Sequence, residues 1–71
     1  MARVEIYYCP VGSGYDTRAV SLANELNAHG HDARALEGAK SQFDVKVEGK
    51  VVFSKQAEGR FPEHDEILAK V

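Results

Sequence analysis

The only thiol in the sequence is Cys9, and its neighbours limit what it could do. It follows the alternating run Arg3-Val4-Glu5-Ile6-Tyr7-Tyr8 and opens the loop Pro10-Val11-Gly12-Ser13-Gly14, which precedes a helical pattern. Unpaired N–H groups at a helix N-terminus, with the positive end of its dipole, favour thiolate over thiol and lower the pKa from about 8.5. A cysteine between strand and helix is therefore suited to nucleophilic or redox chemistry. The alternative is a small buried hydrophobe, the usual fate of a free cysteine.

Neighbouring residues separate the thiol chemistries. A phosphatase-type loop needs an arginine six residues after the cysteine, where Tyr15 stands. A papain-like pair needs a histidine base, and nothing in the order of the chain brings His29, His31 or His64 to Cys9. A dithiol centre needs a second cysteine at Gly12; Ser13 is close to that place, but a hydroxyl cannot close a disulfide. Ser13 reads instead as the N-cap of the helix, with Asp16 as its capping-box partner. The Gly12-Ser13-Gly14 turn could cradle an anion, but no Lys-Thr follows it and G-x-G-x-x-G is absent. His29 and His31 hint at a metal, but ligands could be added only from distant segments. A solvated helix end is the reading adopted, and no metal site is expected.

The elements that must position Cys9 follow from periodicity. Residues 3–8 read as a strand with Val4, Ile6 and Tyr8 on one face. Ala19, Leu22, Ala23 and Leu26 form a helical stripe from Tyr15 onward, ending near His29-Gly30. Residues 32–37 read as a second strand, and Gly38-Ala39-Lys40-Ser41 as a loop. Phe43, Val45 and Val47 alternate, Glu48-Gly49 makes a two-residue turn, and residues 50–54 return as a hairpin. Lys55 to Arg60 reads as a polar connection. Pro62 is placed at the first position of a last helix, with His64, Ile67, Leu68 and Val71 on one face. Tyr7, Tyr8, Tyr15, Phe43, Phe53 and Phe61 are core candidates, those near the loop being able to form an apolar rim for a partner. The order β-α-β-β-β-α predicts a two-layer α/β domain over 1–71.

Composition agrees with a small folded domain. Seventy-one residues with 44% hydrophobic and 28% charged side chains leave no room for a second domain. A net charge of −2 gives no footprint for nucleic acid or an anionic membrane. No apolar run reaches the ~18–20 residues of a membrane span, and the start lacks the apolar core of a signal peptide. The expectation is a soluble, cytoplasmic chain.

Taken together, these residues resemble the selenoprotein W-like family of the SelT/SelW/SelH (Rdx) group, along nearly the whole chain. The resemblance rests on Val4-Glu5-Ile6-Tyr7-Tyr8-Cys9, on Gly14-Tyr15 with Arg18-Ala19, and on Leu22 with Glu25-Leu26. It continues through Phe43-Asp44-Val45-Lys46-Val47 with Gly49, Val52-Phe53-Ser54-Lys55 and Gly59-Arg60-Phe61-Pro62. It implies a thioredoxin-like fold with a mixed four-stranded sheet, a redox loop after the first strand, and thiol oxidoreductase or glutathione-linked antioxidant activity. The family's loop is C-x-x-C or C-x-x-U followed by Gly-Tyr. Aligning on Gly14-Tyr15 puts Ser13 at the partner position with one residue inserted, and aligning on Cys9 puts Gly12 there. Either way, only Cys9 carries over.

The leading expectation is a monothiol redox protein in which Cys9 attacks a disulfide, peroxide or glutathione mixed disulfide. Backbone groups of Gly12, Ser13 and Gly14 would stabilise the thiolate. No cofactor is expected, and glutathione is a candidate co-substrate beside a thiol or disulfide protein partner. The rival is a non-catalytic binding module on the same fold, docking a protein through Pro10, Val11, Gly14, Tyr15 and Phe61.

Overall fold

The computed structural model describes residues 2–71. Strand β1 (Arg3–Tyr8) leads into helix α1 (Tyr15–Ala28), which crosses over to β2 (Asp32–Glu37). A hairpin of β3 (Phe43–Val47) and β4 (Lys50–Ser54) follows, then short helices α2 (Lys55–Glu58) and α3 (His64–Leu68). The sheet order is β2-β1-β3-β4. β1 runs parallel to β2, as an α1 crossover requires, and antiparallel to β3. The strand that leads into Cys9 is thus interior, paired on both sides.

Period-two alternation sends Val4 and Ile6 of β1, Ala33 of β2, Phe43 and Val45 of β3 and Phe53 of β4 into one core. Ala19, Leu22, Ala23 and Leu26 of α1 and Ile67 of α3 close over them. Both helices therefore lie on the same face, giving the expected two layers. The other face carries Glu5, aligned with Arg34 and Lys46, and Tyr7, whose ring lies 5.0 Å from the Lys46 ammonium. Tyr7 is consequently not a core residue, because it alternates with Val4, Ile6 and Tyr8.

The hairpin turn is the expected Glu48-Gly49 pair, with φ of 52° and 82°. Positive φ at both central residues is what a tight turn matched to strand twist demands. Helix α1 ends as expected, with His29 as C-cap and Gly30 at φ 87°. Three local expectations are corrected. The N-cap of α1 is Gly14, in a left-handed conformation at φ 77°, and no side chain caps it; Ser13 is exposed. Glycine enters that conformation without steric cost, and Asp16 instead accepts the Thr17 N–H at 2.8 Å. The connection from Lys55 holds a turn of helix, closed by Gly59 at φ 74° with its N–H on the Lys55 carbonyl at 2.7 Å. The last helix starts at His64 with Glu63 as N-cap, so Pro62 stands just before it.

The segment between α2 and α3 is pinned by one ion pair. Arg60 donates both guanidinium nitrogens to Glu66, at 2.6 and 3.0 Å, and also donates to the Phe61 carbonyl at 3.2 Å. The guanidinium fork, followed by the Glu63 N–H, holds the Glu66 carboxyl at about 2, below its usual 4.5.

Two predictions follow from this packing. Ile67 is fully buried and is the only buried residue of α3, so Ile67→Ala should cost about 2–5 kcal/mol in urea unfolding. Because Glu66 has a folded pKa below its unfolded one, the stabilisation from its pair is present above about pH 4.5. It should be lost as pH falls toward 2, and Arg60→Ala should flatten stability over that window.

Candidate functional site around Cys9

Cys9 is held at the carboxyl end of β1 by both neighbouring strands. Its N–H donates to the Gln42 carbonyl at 2.8 Å, and the Gly38 N–H donates to the Tyr8 carbonyl at 2.7 Å. The ladders thus extend past the ends of β2 and β3 and fix the cysteine between them. Its side chain is buried, with the residue 3% exposed.

Residues 38–42 form a loop closed on itself beside that thiol. The Gln42 side chain accepts the Ala39 N–H at 2.6 Å and donates to Asp44 at 2.8 Å, while the Gln42 N–H returns to the Ala39 carbonyl at 3.1 Å. A Cβ at Gly38 would meet the Gln42 amide and sit 3.2 Å from Tyr7 Cβ, so a side chain there would displace the Gln42 side chain from this closure. The closed loop holds Ser41 at φ 62°, a conformation uncommon for a residue with a side chain. Backbone hydrogen bonding from Ser41 to the thiolate form is the largest influence lowering the Cys9 pKa below the ordinary thiol value. Burial opposes it, while the Val11 and Gly12 N–H groups and the Lys40 charge add to it. Hydrogen bonds to the charged form win over desolvation.

The expected loop residues have divided roles. The Gly12 N–H donates to the Cys9 carbonyl at 3.4 Å and is among the groups that lower the thiol's pKa, whereas Ser13 and Gly14 are not. Val11 is both a donor and, at 81% exposed, the most protruding apolar side chain of the loop; Pro10 is exposed beside it. Gly12 lies so near the Tyr15 ring that a Cβ would overlap it. Tyr15 in turn meets Phe61 edge-on at 5.1 Å, and Phe61 meets Phe43 at 5.2 Å. Three aromatic rings therefore back the loop, with Arg18 4.3 Å above the Phe61 ring and Lys55 5.5 Å from both Tyr15 and Phe61.

The histidines are placed elsewhere. His29 and His64 approach Glu25 at 3.0 and 3.9 Å, and His31 Nδ1 accepts the Ala2 N–H at 3.0 Å. No general base for Cys9 comes from them. Among the described residues, no three His, Cys, Asp or Glu side chains group as metal ligands. No helix among them is long and apolar enough to cross a membrane.

Sequence reasoning missed Lys40 and Ser41, which read only as loop, and Gln42, to which it gave no role. Gly38 was the available signal, since a lone glycine after a strand marks a close backbone approach. Arg18 and Lys55 were visible as part of the family pattern but carried no role.

A model of the Rdx family matches residues 3–71. The chain belongs to the Rdx family. A selenoprotein W-related protein from Vibrio cholerae has a similar structure, with a TM-score of 0.86 at 25% identity over 99% of this chain and 91% of that one. A protein from Bordetella parapertussis superimposes with a TM-score of 0.79 at 23% identity, over 99% and 98% of the two chains, and speaks for the fold alone. No curated protein sequence matches the chain. The fold is the thioredoxin-like one of selenoprotein W-related structures, and membership of this family associates the chain with a redox role.

Alkylation of Cys9 followed against pH should show a midpoint below that of a free thiol, with a limiting rate below that of an exposed thiolate because the sulfur is buried. Lys40→Gln should raise the midpoint by a few tenths, and salt should shrink that difference. Gly12→Ala should raise it further, since the new methyl displaces either Tyr15 or the loop that donates to the sulfur.

Proposed function

We propose that this Rdx-family protein performs monothiol thiol–disulfide exchange through Cys9. The observation that supports it is a buried cysteine at the end of β1 whose pKa is lowered despite burial, chiefly by backbone hydrogen bonding from Ser41 and then from Val11 and Gly12. A structural cysteine has no use for such donors, whereas a nucleophile needs its thiolate.

The Cys9 thiolate attacks one sulfur of a disulfide, forming a new S–S bond as the other sulfur leaves as thiolate. With no second cysteine in the chain, an external thiol must attack the mixed disulfide and release Cys9; glutathione is a suitable one. Pro10 closes a further route. A sulfenic acid at Cys9 cannot cyclise onto the nitrogen of the next residue, because proline offers no N–H there. A peroxide-oxidised Cys9 therefore also depends on external thiol, which fits a reducing, cytoplasmic setting.

A second reading, a non-catalytic protein-binding module on the same loop and aromatic rim, draws on the 3% exposure of Cys9 and the protruding Val11. Intact mass after incubation with oxidised glutathione separates the two. Thiol exchange predicts an adduct of ~305 Da, the mass of one glutathionyl cap, removed by reductant and absent in Cys9→Ser. An unchanged mass with both oxidised glutathione and an uncharged disulfide would leave the binding module.

A further inference from the structure

An open sheet has two free edges, whose unpaired N–H and C=O groups are a template for any further strand. Here the edges are β2 and β4. Asp32 and Gly38 donate their N–H groups to the Ala2 and Tyr8 carbonyls on the β1 side. Backbone groups alternate sides along a strand, so residues 32, 34, 36 and 38 face β1, while Ala33, Ala35 and Glu37 turn theirs outward. Both outward groups of Ala33 are taken. Asn27, in the last turn of α1, accepts the Ala33 N–H at 2.8 Å and donates to the Ala33 carbonyl at 3.1 Å. That is the two-bond exchange one strand residue makes with another, made here by a helix side chain.

The other edge is covered by a different residue. Lys46 stands opposite Val51 and Val45 opposite Phe53, so Val52 is a bulge with no partner on β3. Its carbonyl accepts the Lys70 ammonium at 2.9 Å, reaching from just beyond α3. Glu66, whose carboxyl feels the Lys70 charge, is already bound by Arg60. The strand that Lys70 covers is strongly inclined to pair: Val51, Val52 and Phe53 are β-branched or aromatic, and Val51 is 54% exposed.

We propose that Asn27 and Lys70 are edge guards, each occupying pairing groups of an outer strand and so keeping a second copy of this chain from adding its own strand there. The occupant kept out is a second copy because every molecule carries the same edge. An antiparallel pairing of β4 with β4, or of β2 with β2, is self-complementary about a two-fold axis. Edge guarding is independent of the chemistry of Cys9.

Sedimentation velocity from micromolar to millimolar concentration tests the guards. The wild type should stay monomeric. Lys70→Ala should form dimers and stop there, since β2 remains covered, and Asn27→Ala should do the same through β2. The double variant has two self-complementary edges and should grow past dimers into longer assemblies. Freeing an edge should bring association to concentrations at least about tenfold lower, the worth of a hydrogen bond or two. Lys70→Arg keeps a cationic donor and should stay monomeric, as should Lys46→Ala, which removes a lysine from the open sheet face. Amide hydrogen exchange locates the contact: residues 51–54 should gain protection with concentration in Lys70→Ala, and residues 33–37 in Asn27→Ala. Asn27 also ties α1 to β2, so if Asn27→Ala unfolds, Lys70→Ala, a change at an exposed side chain, carries the test. A folded variant that loses stability but stays monomeric would overturn the guard role of that residue. Dimers in the wild type through these edges, equal association in Lys46→Ala, or protection confined to another surface would overturn it for both.

Discussion

Backbone hydrogen bonding from Ser41 to the Cys9 thiolate, the largest influence lowering its pKa, is the interaction on which the site depends. Burial alone would push a thiol up and make it inert, as it does for most core cysteines. Here the sulfur is buried and its pKa is nevertheless lowered, because backbone donors replace the water it has lost. That arrangement is only possible where β1 ends between two neighbours that outlast it. The Gln42 and Gly38 bonds supply it, and the closed 38–42 loop then turns Ser41 into place.

Every larger feature serves that geometry. β1 is central because α1 carries the chain across to a parallel β2, while the β3–β4 hairpin folds back on the other side. The carboxyl end of such a strand is where an open α/β sheet leaves room for a ligand. α1 and α3 seal one face, and the Arg60–Glu66 pair fixes the segment that delivers Phe61 to Tyr15 and Phe43. The aromatic rings in turn back Gly12, one of the groups that lower the thiol's pKa. Fold and site share the same few contacts, as economy of size requires in a chain this short.

The elements were largely legible in the sequence because each has a strong local signal. Alternation gave β1 and β3, Glu48-Gly49 gave the turn that returns β4, and the Ala19–Leu26 stripe gave α1. Misreadings fell where local chemistry offered two answers. Ser13 is a good N-cap by type, but Gly14 takes the role because its backbone can turn left-handed; Lys55–Glu58 has no apolar face to announce its single helical turn. Tyr7 has the composition of a core residue and the parity of a surface one, and parity decides in a strand.

At the site, the place of Cys9 between β1 and α1 was legible and its environment was not. The position of a cysteine after a strand and before a helix directs attention forward along the chain, to Gly12, Ser13 and Gly14. The strongest donor lies instead on the loop after β2, some thirty residues on, brought back by strand pairing that no local pattern encodes. Its lever is a positive φ at a serine, for which sequence offers no signature. With no second cysteine in the chain, backbone groups are the main influence that lowers the pKa of Cys9.

The amide protons around the sulfur test this account most directly. Followed by NMR against pH, the Ser41, Val11 and Gly12 amides should shift together with one midpoint below the ordinary thiol range, Ser41 most, and should stay flat in Cys9→Ser. Amides that do not respond, or a shared midpoint at or above that of a free thiol, would contradict it.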